Sequence, residues 1–171
     1  MTGSWVEEIV CQDSFVEPIF HGHHDFSHSA IDSIADMFSP PTQLLIEARQ
    51  MRLYKVLQRV TKQHPIDDII ELTTTPDEST KISLYRLLQC LVRQPWILSE
   101  AIGSSRLIAF LLDRTNDLSM IAAEARFEII QTILASTINV PAPLAEQLDI
   151  YLKQGAQFTP RTMHVASQRY M

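Results

Sequence analysis

The chain has 171 residues, 46% of them hydrophobic, enough for one domain that encloses a core without covalent staples. A formal net charge of −6 disfavours general nucleic-acid binding, and two cysteines are too few for a disulfide framework. Only four glycines are present, with no GxGxxG or Walker A spacing, which excludes Gly-rich phosphate loops and leans the chain toward helix.

Residues 1–41 read as an acidic N-terminal arm, with seven carboxylates and no Lys or Arg. Its start, MTGSWVEEIV, lacks the basic region of a signal peptide, and no apolar run in the chain approaches the roughly 20 residues that cross a bilayer. The expected location is therefore intracellular, cytoplasmic or nuclear. The stretch HGHHDFSH gathers His21, His23, His24 and His28 around Asp25. Within it His21, His23 and Asp25 make an H-x-H-x-D spacing. This is similar to the metal-binding motif of metallo-β-lactamase-fold hydrolases, and that resemblance implies zinc and an activated water. Phe26 stands where that family has a histidine, and only His64 and His164 remain as later ligands. The expectation is a polar loop, with His21, His23 and Asp25 as metal-ligand candidates and a metal-dependent hydrolase as the alternative. Next, SAIDSIADMF places Ile31, Ile34, Ala35 and Phe38 on one helical face. So short a helix is unstable alone and must dock, either on the body of the protein or on a partner. Ser39-Pro40-Pro41 ends the arm.

The spacing predicts a long helix over 42–64, capped by Thr42 and stopped by Pro65. Leu45, Leu53, Val56, Leu57 and Val60 share one side of it. Arg49, Arg52, Lys55, Arg59 and Lys62 form a basic stripe at spacings of three and four, and no acid occurs from 49 to 66. Three readings stand for this stripe: a solvated face, a seat for the acidic arm, or a site for an acidic partner, anionic lipid headgroups or RNA. IDDIIEL suggests a short helix and TTTPDEST a loop.

Helices then follow closely. KISLYRLLQCLVRQ precedes Pro95. PWILSEAIG takes Pro95 as its first residue and stops at Gly103. SSRLIAFLLDR opens on Ser104 or Ser105, and Asp117 or Ser119 caps a helix reaching about residue 137. LAEQLDIYLKQ ends at Gly155. Leu88, Leu91, Ile108, Leu111, Phe127, Ile130 and Leu134 are the expected core. The helical domain spans 42–155, and a loosely ordered tail covers 156–171.

Residues 82–138 resemble the armadillo repeat family. Ile97 to Leu112 stand for its hinge and short helix, and the long helix after them carries Ala122, Ala123 and Ala125. The resemblance covers about one and a third repeats of roughly 40 residues. No second copy at a fixed period is evident in the sequence. It implies an all-α, armadillo/HEAT-like helical stack, with an irregular helical bundle as the alternative. No HExxH, CxxC or GxSxG pattern is present. The functional expectation is a non-enzymatic adaptor, scaffold or regulatory subunit, without a cofactor, that binds a peptide or helix. Its partner-binding candidates are Arg49, Arg52, Lys55, Arg59, Lys62, Ile31, Ile34 and Phe38.

Overall fold

The computed structural model describes residues 28–39, 45–61, 64–115, 117, 119–136 and 138–158. Among them are eight helices and no strand: α1 His28–Phe38, α2 Leu45–Val60, α3 Pro65–Leu72, α4 Glu78–Val92, α5 Pro95–Ala101, α6 Ser105–Leu112, α7 Met120–Leu134 and α8 Ala142–Gln154. The fold is all-α.

Local chemistry fixes most boundaries. The side chains of Asp77, Ser104 and Ser119 each accept a hydrogen bond from the third backbone N–H beyond, capping α4, α6 and α7. Pro65 and Pro95 start α3 and α5, where their missing N–H costs nothing. Pro65 therefore opens a helix rather than closing the one before it. α2 stops at Val60, short of the expected 64. The residue before a proline is pushed to extended backbone, and His64 sits at φ −121, ψ 139. Its ring instead accepts the Ile66 N–H at 3.3 Å and caps α3. Gly155 closes α8 with φ +87, a conformation that favours glycine. Gly103 shows no positive φ, so α5 ends by a turn and not by a left-handed cap.

The helices stack in a repeating order. α1 packs most extensively on α4, α4 packs on α7, and α3 packs on α6. Asp32 meets Arg86, and Phe38 O meets Gln94, so α1 and α4 run parallel. Tyr85 meets Asp117 and Gln89 meets Glu128 and Thr132, so α7 continues the same direction. α3 and α6 begin 40 residues apart, at Pro65 and Ser105, and α4 and α7 begin 42 apart, at Glu78 and Met120. A repeat of short helix and long helix is thus present in the fold where side-chain patterns hide it.

α4 lies in the middle and is covered on both flanks; Leu84, Leu87, Leu88 and Leu91 are all enclosed. Of the expected core, Leu88, Leu91, Leu111 and Ile130 are buried, whereas Ile108, Phe127 and Leu134 keep partial exposure. Arg126 is enclosed in their place.

Candidate interaction surface

α2 is amphipathic by construction. Leu53, Tyr54, Val56 and Leu57 are buried, which leaves Arg52, Lys55 and Arg59 exposed on its outer side. Arg49 belongs to the same helix, and Lys62 lies outside the described residues. The helix is anchored by Gln50, itself buried. Its amide donates to the carbonyl oxygens of Met37 at 3.5 Å and Phe38 at 3.3 Å, at the C-terminus of α1. Gln94 donates to the same Phe38 oxygen at 3.1 Å. Orphan carbonyls at a helix end are thereby satisfied.

The apolar face of α1 is turned inward. Ile31, Ile34 and Phe38 are at most 1% exposed. Of the candidate partner-binding residues, the fold thus encloses these three and leaves Arg52, Lys55 and Arg59 at the surface. The acids of α1 face α4, not the α2 stripe. Asp32 accepts from the Arg86 guanidinium at 3.2 Å, and Asp36 pairs with its other amino group. The remaining acids of the arm, and the metal-ligand candidates His21, His23 and Asp25, lie outside the described residues.

Below the stripe, Tyr54 of α2, His64 at the start of α3 and Glu100 of α5 meet. His64 Nδ1 accepts the Ile66 N–H, so Nε2 carries the proton and donates to Glu100 Oε1 at 2.8 Å. The Tyr54 hydroxyl lies 3.2 Å from Nε2, and its ring meets Trp96 edge-on with centroids 5.1 Å apart. Burial, helped by the nearby Glu100 carboxylate, pushes the Tyr54 phenol well above its ordinary value. The cluster ties three helices together. Among the described residues no group of three His, Cys, Asp or Glu side chains is placed to hold a metal.

An open cleft of about 480 Å³ lies between α3, α4 and α6, with Thr73, Thr74, Lys81, Arg106 and Asp113 on its walls. Its chemistry is already committed. Thr73 and Thr74 donate to Ile70 O and Glu71 O, and Arg106 pairs with Glu71 at 3.1 Å. The arrangement suits helix packing and surface recognition.

The model of one family, described as proteasome non-ATPase 26S subunit, matches residues 17–170. The chain belongs to the proteasome non-ATPase 26S subunit family. No curated protein and no solved structure matches it. In this proteasome non-ATPase 26S subunit family member the match spans α2 and every other helix of the stack.

Two residues that hold this unit together escaped the sequence reading. Arg114, in the loop before α7, donates to Gly155 O at 2.7 Å and Tyr151 O at 3.0 Å, and stacks 3.6 Å above the Tyr151 ring. A cation there complements the negative end of α8. Arg126 Nη2 lies 2.5 Å from Asp117 Oδ2, and Asp117 Oδ1 accepts from Tyr85 at 2.5 Å. The signal for Arg126 was present: it shares the helical face of Ala122, Ile129, Ile130 and Ile133.

Proposed function

We propose that this chain is a non-catalytic, armadillo/HEAT-type helical subunit or regulator that acts with the 26S proteasome. It binds a protein partner through the cationic outer face of α2. The observation that carries the reading is the family match over residues 17–170, joined to a stack whose equivalent helices recur at about 40 residues. Such stacks offer extended surfaces that receive peptides and helices. Arg52, Lys55 and Arg59 stand exposed on one helix whose other side is locked into the core, with Arg49 and Lys62 as the flanking members of the stripe. A rigid row of cations suits an acidic or amphipathic partner segment. The cytoplasm and nucleus are the corresponding locations, and among the described residues no single helix is long and apolar enough to cross a membrane.

The test is affinity purification of the tagged full chain and of the triple variant R52E/K55E/R59E. Proteasome subunits recovered with the first and lost with the second, at unchanged helical circular dichroism, support the reading. Equal recovery with both chains removes α2 from the interface. No proteasome subunit with either removes the proteasome assignment.

A further inference from the structure

α2 turns one narrow row of side chains to solvent. Met51 is 45% exposed, and Arg52, Lys55, Gln58 and Arg59 are exposed with it. At about 3.6 residues per turn these residues fall within roughly a third of the helix circumference. From Arg52 to Arg59 the cations span about 10 Å along the axis, at steps of three and four residues. No acid occurs from residue 49 to 66, so over these turns the row carries charge of one sign. The opposite side of the helix is fixed. Leu53 and Leu57 are fully enclosed, and Gln50 is tied to the end of α1. The cations are therefore presented at a preset spacing.

That spacing selects among anionic partners. An extended peptide gains affinity by adding to a sheet edge, and among the described residues no strand offers one. A segment lying on α2 must satisfy its own backbone N–H and C=O groups, which a helix does. Carboxylates at i, i+3 and i+7 of such a helix repeat over the same length as Arg52, Lys55 and Arg59. Same-face residues of an extended chain lie about 7 Å apart and drift out of register with the row. Met51 begins the row, and its unbranched thioether adapts to an apolar side chain beside those carboxylates. The methylene stems of the cations extend that contact. Single-stranded nucleic acid stacks its bases on exposed rings, but Tyr54, the aromatic residue of α2, is 3% exposed. An anionic bilayer requires a broad apolar face and presents its charge to the whole chain, whose net charge is −6.

We infer that the segment received by α2 is an acidic amphipathic helix of a partner protein, laid along the Met51–Arg59 row with carboxylates at i, i+3 and i+7 and an apolar residue against Met51. The inference deepens the proposed partner-binding role of α2 and rests on it. Charge sets the register, because moving the partner's acids by one residue turns them about 100° away from the cations. The contact at Met51 adds affinity that salt does not screen.

Fluorescence anisotropy of the full chain with labelled, Ala-rich peptides of about 20 residues tests it. The first peptide carries Glu at i, i+3 and i+7 with a flanking Leu. The second has the same residues with the Glu spread around the helix, and the third is the first interrupted by a central proline. The first is expected to bind about tenfold tighter than either of the others. Met51→Ser should weaken the first about threefold and leave the second unchanged. R52E/K55E/R59E should abolish binding of all of them at unchanged helical circular dichroism. Equal affinity for the three peptides, or no binding of any, overturns the inference. So does tighter binding of phosphatidylserine vesicles or of poly(U) than of the first peptide. Failure here is separable from failure of the proteasome reading. Register-blind peptides, with proteasome subunits still lost from the triple variant, overturn the helix and keep α2 as the interface. Register-selective peptides, with subunits recovered equally by both chains, keep the helix and remove the proteasome from α2.

Discussion

Arg126 Nη2 lies 2.5 Å from Asp117 Oδ2, with the two side chains 1% and 0% exposed. The pair comes from α7 and the loop before it, and Tyr85 of α4 joins it as a donor to the other carboxylate oxygen. Arg126 Nη1 donates in turn to Phe110 O at 3.3 Å, at the end of α6. Three helices and a loop of successive repeat layers thus meet at one buried charge pair. Desolvating two ions gains little net stability, and the buried Asp117 Oδ2 and Arg126 Nε make no hydrogen bond, so the pair's contribution is to hold α7 in place against α4 and α6.

Removing one partner leaves the other charge buried and alone. Asp117→Ala is expected to cost about 3–5 kcal/mol in urea unfolding, and Arg126→Ala a similar amount. An apolar pair, D117L/R126M, should recover a good part of that loss. A cost under about 1 kcal/mol for Asp117→Ala would show that the pair contributes nothing in the folded chain.

Helix starts were legible in the sequence because capping is local chemistry. Ser104, Ser119, Pro95 and Gly155 mark boundaries by residue type alone. The end of α2 was not legible, because the same proline signals a stop before it and a start at it, and His64 settled the matter by capping α3. Phe127 was assigned to the core on periodicity. Periodicity finds an apolar flank but not which neighbour covers it. Composition offered the acidic arm as one of three readings of the basic stripe; of the arm's acids, Asp32 and Asp36 pair with Arg86 of α4, and the other five lie outside the described residues.

The docking of α1 is apolar in origin, which separates two substitutions. Phe38 is fully enclosed, so Phe38→Ala should cost about 3–5 kcal/mol. Arg86 and its two carboxylate partners are a third or more exposed, so Arg86→Ala should cost at most about 1 kcal/mol. Thermal or urea denaturation checks both. A small loss for Phe38→Ala would make α1 a detachable arm.

Binding through α2 should be salt-sensitive. Charges at the surface are screened over about 10 Å at 0.1 M salt, so a contact built on Arg52, Lys55 and Arg59 weakens as ionic strength rises. Titration of the co-purified partner at two salt concentrations measures this. An affinity that is flat with salt would place the contact on an apolar surface instead.

Strong base should unfold the protein through two tyrosines. Burial pushes Tyr54 far above the ordinary phenol value near 10, with Glu100 adding to it. Burial does the same to Tyr85, reinforced by its hydrogen bond to Asp117 and by that carboxylate's charge. Both rings are nearly enclosed, at 3% and 1% exposure. The folded state therefore keeps its phenolic protons where the unfolded chain releases them. Stability from this source is complete below the unfolded pKa and declines as pH rises past about 10, because the unfolded state then binds fewer protons than the native one. Phenolate absorbance from these two residues should appear together with loss of helical circular dichroism. Tyr85→Phe removes one titrating group and leaves Asp117 to Arg126 alone. That variant should be less stable at neutral pH and lose less stability between pH 9 and 11. Phenolate signals that titrate freely near pH 10 with the helices intact would mean that Tyr54 and Tyr85 are open to water, and would dissolve both the α2–α3–α5 cluster and the Asp117 clasp.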